Sequence, residues 1–185
     1  MSASRPLGYN GAANLPRPRI SMSFSNNLNR VVSKFALLPS GVATSLISRI
    51  FGRVVPYVGT SGLVYEELTP ERVVVTIRNR RPVQNHIKGV HAAAMALLAE
   101  TATGFVVGMN LPDDKLPLIK SLHVDYYKRT QGNMKAVATL SPEQIELIRN
   151  TPKGEVSVPV VVTDESGEEP IKCAMLWAWV PKKKG

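Results

Sequence analysis

Apolar residues recur at helical spacing before residue 56 and in strand-like runs after residue 62. Leu28, Val31, Val32, Phe35 and Leu38 form one helical stripe, with Arg30 and Lys34 off it. Val42, Leu46, Ile47, Ile50 and Val54 form a second. Steps of three and four residues predict two amphipathic helices, separated by Pro39-Ser40-Gly41 and closed near Pro56, where proline withholds a backbone donor. From Gly62 the pattern is that of a sheet. Residues 65–68 and 72–78 read as strands joined at Thr69-Pro70, the second rich in β-branched side chains that suit a pleated surface. Residues 79–88 are polar and read as a loop. Residues 90–107, with the run Ala92 to Ala99, form the longest stretch of helical composition, and Gly104 and Gly108 weaken or end it. A helix apolar on every side is expected to be buried.

Four strand candidates follow the loop Pro112-Asp113-Asp114, at 120–127, 135–140, 155–163 and 171–180. Asp164-Glu165-Ser166-Gly167 between the last two suggests an antiparallel hairpin. Ser141-Pro142-Glu143-Gln144 offers an N-cap, a first-turn proline and a capping-box partner for a short inserted helix. The order lacks the strand–helix alternation of a parallel sheet, so the fold class is α+β: an antiparallel sheet around one long buried helix, with an N-terminal helical extension. The last strand places Cys173, Met175, Trp177 and Trp179 on one face and Ala174, Leu176, Ala178 and Val180 on the other, the pattern of a strand covered on both sides. Core or a subunit interface suits the two Trp residues better than a ligand channel.

Charge divides the chain into segments. The net charge is +9 over 185 residues, and Arg5, Arg17, Arg19, Arg30, Lys34, Arg49 and Arg53 supply seven of it in a first third without any acid. Residues 1–25, rich in Arg, Ser and Pro, match a mitochondrial or plastid transit peptide or a disordered tail. The prolines at 6, 16 and 18 work against a presequence helix. The expected division is a tail or targeting segment at 1–25, a helical extension at 26–60 and the main domain at 61–182, in a mitochondrial or cytoplasmic protein with no secretory signal. The two early helices read either as a cover packed on the domain or as a peripheral membrane contact with basic flanks. No uncharged run there is long enough to span a bilayer. Too few aromatics interleave with the early cations for a nucleic-acid platform, so no nucleic-acid partner is expected. The single cysteine, Cys173, excludes a disulfide framework and a Cys-based zinc site. His123 has no spaced partners for a metal, His86 reads as a surface loop residue, and neither a nucleophile elbow nor a phosphate loop is present.

The candidate chemistry lies around the long helix. The segment before it reads Asn85-His86-Ile87-Lys88-Gly89-Val90-His91-Ala92-Ala93, and Glu100 stands within an otherwise apolar, Ala-rich helix. A buried carboxylate without partners costs several kcal/mol or shifts its pKa upward. Glu100 is therefore either functional, close to an exposed stripe, or satisfied by a hydroxyl such as Thr101 or Thr103. Nine helical positions amount to about 900° and about 13.5 Å of rise, so His91 and Glu100 of one straight helix cannot meet. A site using both requires two subunits, with the loop of one facing the carboxylate of the other.

This arrangement, Asn-x5-His-x8-acid with Gly89 two before the His, resembles the hotdog-fold acyl-CoA thioesterases of the phenylacetate-pathway and human thioesterase-superfamily type. It also resembles a hotdog branch known as a domain of unknown function. The resemblance implies a homodimer, or a dimer of dimers, hydrolysing an acyl-CoA or related thioester with no metal or other cofactor. It assigns Asn85 and His91 to binding and polarising the thioester carbonyl, the amide of Ala92 to the oxyanion, and Glu100 of the partner subunit to the general base or nucleophile. The family has His-Gly-Gly where this chain has His91-Ala92-Ala93, and commonly Asp where it has Glu100. Lys128 and Arg129, at a strand end, read as a rim for CoA phosphates or as a solvated end. The alternative function is a non-catalytic hotdog module that binds an acyl or lipid-like ligand.

Overall fold

The computed structural model describes residues 24–35 and 37–183. The targeting or tail reading falls almost wholly outside them. From Leu63 onward the described residues hold seven strands and two α-helices, in the expected order except that one expected strand is two, with β1 at Leu63–Leu68, β2 at Arg72–Ile77 and the long helix α4 at Ala92–Gly108. The strands β3 (Lys115–Tyr126), β4 (Met134–Thr139), β5 (Gly154–Val158), β6 (Val160–Asp164) and β7 (Ile171–Pro181) then form, with helix α5 (Pro142–Asn150) inserted after β4. All pairings are antiparallel, in the orders β1-β2-β4-β6 and β3-β7-β5. Both sheets pack on α4, which gives the hotdog arrangement. Val73, Val75 and Ile77 of β2 and Leu98, Ala99, Ala102 and Val106 of α4 are fully buried between the layers.

Two expectations are corrected. Residues 155–163 are not one strand. Pro159, which cannot donate to a ladder, divides them, so β5 joins one sheet and β6 the other. The hairpin across Asp164–Gly167 is therefore absent as a pair: β6 lies beside β4, and β7 lies between β3 and β5. The turn itself forms, with Gly167 N–H donating to Asp164 O at 3.1 Å. In addition, β3 begins at Lys115 rather than Lys120, because the Lys115 ammonium is buried against the carbonyls of Ile148, Arg149 and Thr151 at the end of α5. The Trp residues take the expected core positions. Trp177 Nε1–H donates to Thr103 Oγ1 at 2.9 Å and Trp179 Nε1–H to Thr151 O at 2.8 Å, which satisfies their polar edges inside the core.

The early helices are a cover. They are α1 (Asn27–Ser33), α2 (Ser40–Val54) and a short α3 (Pro56–Ser61), which the sequence pattern missed because Pro56 starts a helix here instead of only ending one. Ile47 and Phe51 of α2 enter the core, and Phe51 meets Tyr65 of β1 and Phe105 of α4 edge-on with centroids 5.4 and 4.8 Å away. Asn26, which caps α1, also donates to the carbonyls of Gly108 and Leu111, both at 2.7 Å, and so fastens the end of α4.

Candidate active site

The start of α4 is built by a tight loop. Asn85 Oδ1 accepts the amides of Ile87 and Gly89 at 3.0 and 3.1 Å, and Asn85 N–H donates to Gly89 O at 2.9 Å. These bonds hold Lys88 at a φ of 62°, a left-handed conformation that costs a non-glycine residue about 1–2 kcal/mol. Asn85 Nδ2 has no acceptor among the described residues and is available to a ligand. Gly89 is required by close packing, since a Cβ there would lie 2.9 Å from Thr130 Oγ1. That same hydroxyl accepts Val90 N–H at 3.2 Å, which docks the loop after β3 onto the loop before α4.

His91 does not begin the helix, as expected, but caps it. Its backbone is extended, and its Nδ1 accepts Ala93 N–H at 3.1 Å, which assigns the proton of the neutral ring to Nε2. Ala94 and Met95 amides close on the His91 carbonyl. Ala92 is exposed and its amide has no partner among the described residues, at the positive end of the helix dipole. Tyr126, the last residue of β3, donates its hydroxyl to Ala92 O at 3.0 Å and anchors the first turn.

Glu100 lies two turns further along. The helix is not closed on every side. Ala93 is exposed and Ala96, Leu97 and Glu100 are half-buried along one stripe, while Leu98, Ala99 and Ala102 behind them are buried. Burial pushes the Glu100 carboxyl above the ordinary range, and the adjacent Thr101 hydroxyl partly opposes this. Thr103 does not satisfy the carboxylate. Its hydroxyl donates to the carbonyls of Ala99 and Glu100 and accepts from Trp177. Gly104 on the next turn sits so close to Trp177 that a Cβ would lie 2.7 Å from its ring. The buried Tyr65 hydroxyl has no hydrogen-bond partner among the described residues, and burial and the Glu100 charge raise its pKa.

One chain therefore brings Asn85, Gly89, His91 and Ala92 together, with Tyr126 and Thr130, and leaves Glu100 about 12 Å of helix away. The two rim candidates differ. Lys128 is paired with Glu168 at the surface, while Arg129 makes no ion pair among the described residues. Two surface clefts lie elsewhere, one bounded by Glu66, Arg78, Asn133 and Glu165, the other around Cys173 to Leu176. The half-buried Cys173 is a poor nucleophile, with its thiol pushed up to about 11 by burial and by Asp125. His86 is exposed, and His123 faces Asp125 at 3.2 Å. Thr130 and Tyr126 were not visible as site residues in the sequence. The only signal was Thr130 following the rim pair Lys128-Arg129, together with a strand long enough to carry Tyr126 back to the helix start.

Residues 43–180 match the family described as Domain of unknown function (DUF4442). The chain belongs to the DUF4442 family. Among solved structures, this DUF4442 chain is similar to a Pseudomonas aeruginosa protein of unknown function named "Probable Thioesterase", at 26% identity and a TM-score of 0.66 over 75% of this chain and 96% of that one. It is also similar to a thioesterase family protein from Silicibacter pomeroyi, at 14% identity and a TM-score of 0.57 over 73% and 96%. A third similar structure is a Haemophilus influenzae thioesterase, at 12% identity and a TM-score of 0.54 over 68% and 82%. The last two likenesses concern the fold. No curated protein matches the sequence.

Proposed function

We propose that this DUF4442 protein is a thioesterase acting on an acyl-CoA or related thioester, with its site between two copies of the chain. The observation that carries the reading is the start of α4, where the Ala92 amide and, in the loop just before the helix, Asn85 Nδ2 have no hydrogen-bond partner among the described residues. Such donors stabilise a developing oxyanion. The hotdog neighbours named as thioesterases support the same chemistry.

The reaction then runs as follows. Asn85 Nδ2–H and the Ala92 amide hold the thioester carbonyl oxygen, and His91 Nε2–H adds a third donor at the mouth. The partner's Glu100, kept basic enough by its apolar surroundings, removes a proton from water. The oxygen of that water bonds to the carbonyl carbon, and the resulting oxyanion rests on the Ala92 amide. Collapse of this tetrahedral species breaks the C–S bond. The proton held by Glu100 passes to the departing thiolate, which leaves a carboxylic acid and a free thiol.

A second copy is supported by the edge of β3. Among the described residues this strand pairs only with β7, so one side of a 12-residue strand has no partner there. Ile119, Leu122 and Tyr126, on its helix-facing side, remain well exposed in the single chain. An exposed, apolar, unpaired edge of this length is a pairing surface. Two-fold pairing there would also cover the half-open stripe of α4 that carries Glu100.

The test is hydrolysis of short, medium and long acyl-CoAs by the full chain, beside Glu100→Gln and Asn85→Ala. Turnover that falls about 10²- to 10⁴-fold in the Glu100 variant is expected for a general base. Equal activity in all three proteins would overturn the site. Acyl-CoA binding without any turnover would favour a binding module.

A further inference from the structure

The inner face of α2 closes the core, yet its outer face and both of its ends remain open. Val42, Ser45, Arg49 and Arg53 lie at steps of three and four along that outer face, all exposed. The corner leading into α2 presents Leu37, at 97% exposure, together with Leu38. The other end presents Val54, at 72%, and Tyr57, at 57%. An almost fully exposed leucine beside further open apolar residues marks a docking surface rather than ordinary surface scatter. The surface is also cationic. No acid occurs before Glu66, and neither Arg49 nor Arg53 makes an ion pair among the described residues, while Arg30 is held by Asp113.

We infer that the outer face of α2 seats the protein on an anionic lipid surface, with Arg49 and Arg53 against the headgroups and the apolar residues at each end entering the interface. Fifteen residues give a helix about 22 Å long, long enough to lie along a bilayer. No described helix is long and apolar enough to cross one. A basic stripe bracketed by leucine, valine and tyrosine is the composition of an interfacial helix. Opposite charge selects an anionic membrane over a neutral one. The cover and the membrane contact are thus two faces of one helix.

Co-sedimentation of the full chain with vesicles tests this independently of any thioester chemistry. Vesicles of phosphatidylcholine with phosphatidylglycerol should carry the protein down at low salt, phosphatidylcholine alone should not, and added salt should release it. The double variant Arg49→Gln/Arg53→Gln should bind about 25-fold more weakly, from roughly fivefold per cation. Leu37→Ser/Leu38→Ser should also weaken binding several-fold. All four positions are exposed, so an unchanged near-ultraviolet signal from the buried Trp177 and Trp179 should accompany the loss. Absence of binding by the unaltered chain overturns the inference. So does wild-type binding by both double variants, which would transfer the contact to residues 1–23.

Discussion

The two ends of α4 are treated in opposite ways. At its C-terminal end asparagine side chains fasten the carbonyls of the last turn and of the chain around it. Asn26 takes Gly108 O and Leu111 O, Asn29 takes Met109 O at 2.9 Å, and Asn110 takes Val106 O at 3.0 Å and Pro70 O at 2.6 Å. At its N-terminal end the Ala92 amide is left open, beside an asparagine whose amide nitrogen is also unused and a loop residue held at positive φ. A helix gains stability wherever its terminal groups are satisfied. Leaving one end open forgoes that gain, and open donors at a positive dipole end are what a substrate oxygen needs. Satisfied groups are concentrated at one end of the helix and unused donors at the other.

This contrast can be broken by substitution, beginning with the largest effect. Glu100→Gln should cut turnover about 10²- to 10⁴-fold while raising Tm. The sign follows from burial. The folded state favours the neutral carboxyl, so the acid's favourable contribution is present below the ordinary carboxylate range and is lost as pH rises through the raised value. At neutral pH the amide therefore stabilises, by roughly 2–4 °C for each 1 kcal/mol, an effect trimmed by the side chain's partial exposure. In the unaltered protein, kcat/KM should fall as pH is lowered through that same raised value.

At the closed end, Asn26→Ala should cost about 2–4 kcal/mol, since it strands two carbonyls and removes the cap of α1. Its kcat should not change, and equilibrium denaturation beside a turnover assay checks both. Gly104→Ala should cost about 1–3 kcal/mol by overpacking Trp177, on the turn next to Glu100. Tyr126→Phe, at the open end, should cost under about 1 kcal/mol yet raise KM, because the first turn of α4 loses its anchor. Tyr65→Phe should be neutral or slightly stabilising, since the hydroxyl it removes has no partner. A Tyr126→Phe loss as large as that of Asn26→Ala would erase the difference between the two ends.

The elements could be read from the sequence, and the contacts of Asn26, Asn29 and Asn110 that fasten the closed end could not. Local signals located the elements: the Ala-rich run marked α4, Ser141 to Gln144 marked α5 with its capping box formed, and β-branched residues marked β2. Pairing was harder to read. Residues 155–163 are uniformly strand-forming, and only Pro159 signals that the two halves serve different sheets. The candidate site was readable as residue types, because an acid in an alanine helix and an Asn–His loop before it are conspicuous. Its supports were not, because Thr130 and Tyr126 reach the loop and the helix start from 40 and 34 residues away in sequence. The open stripe on α4 was one of the three readings that Glu100 allowed, and the apolar composition of the rest of the helix could not choose it over burial.

The central claim is that the open end of α4 in one copy works with Glu100 of another, and mixing two inactive variants tests it most directly. Full-length Asn85→Ala and Glu100→Gln proteins, each inactive alone, are allowed to exchange subunits and assayed on the best acyl-CoA. A mixed dimer holds one intact site and one doubly altered site, so random exchange predicts recovery to about one quarter of the unaltered activity. Activity no greater than the sum of the two separate variants, with exchange shown to have occurred, would contradict a site shared between copies.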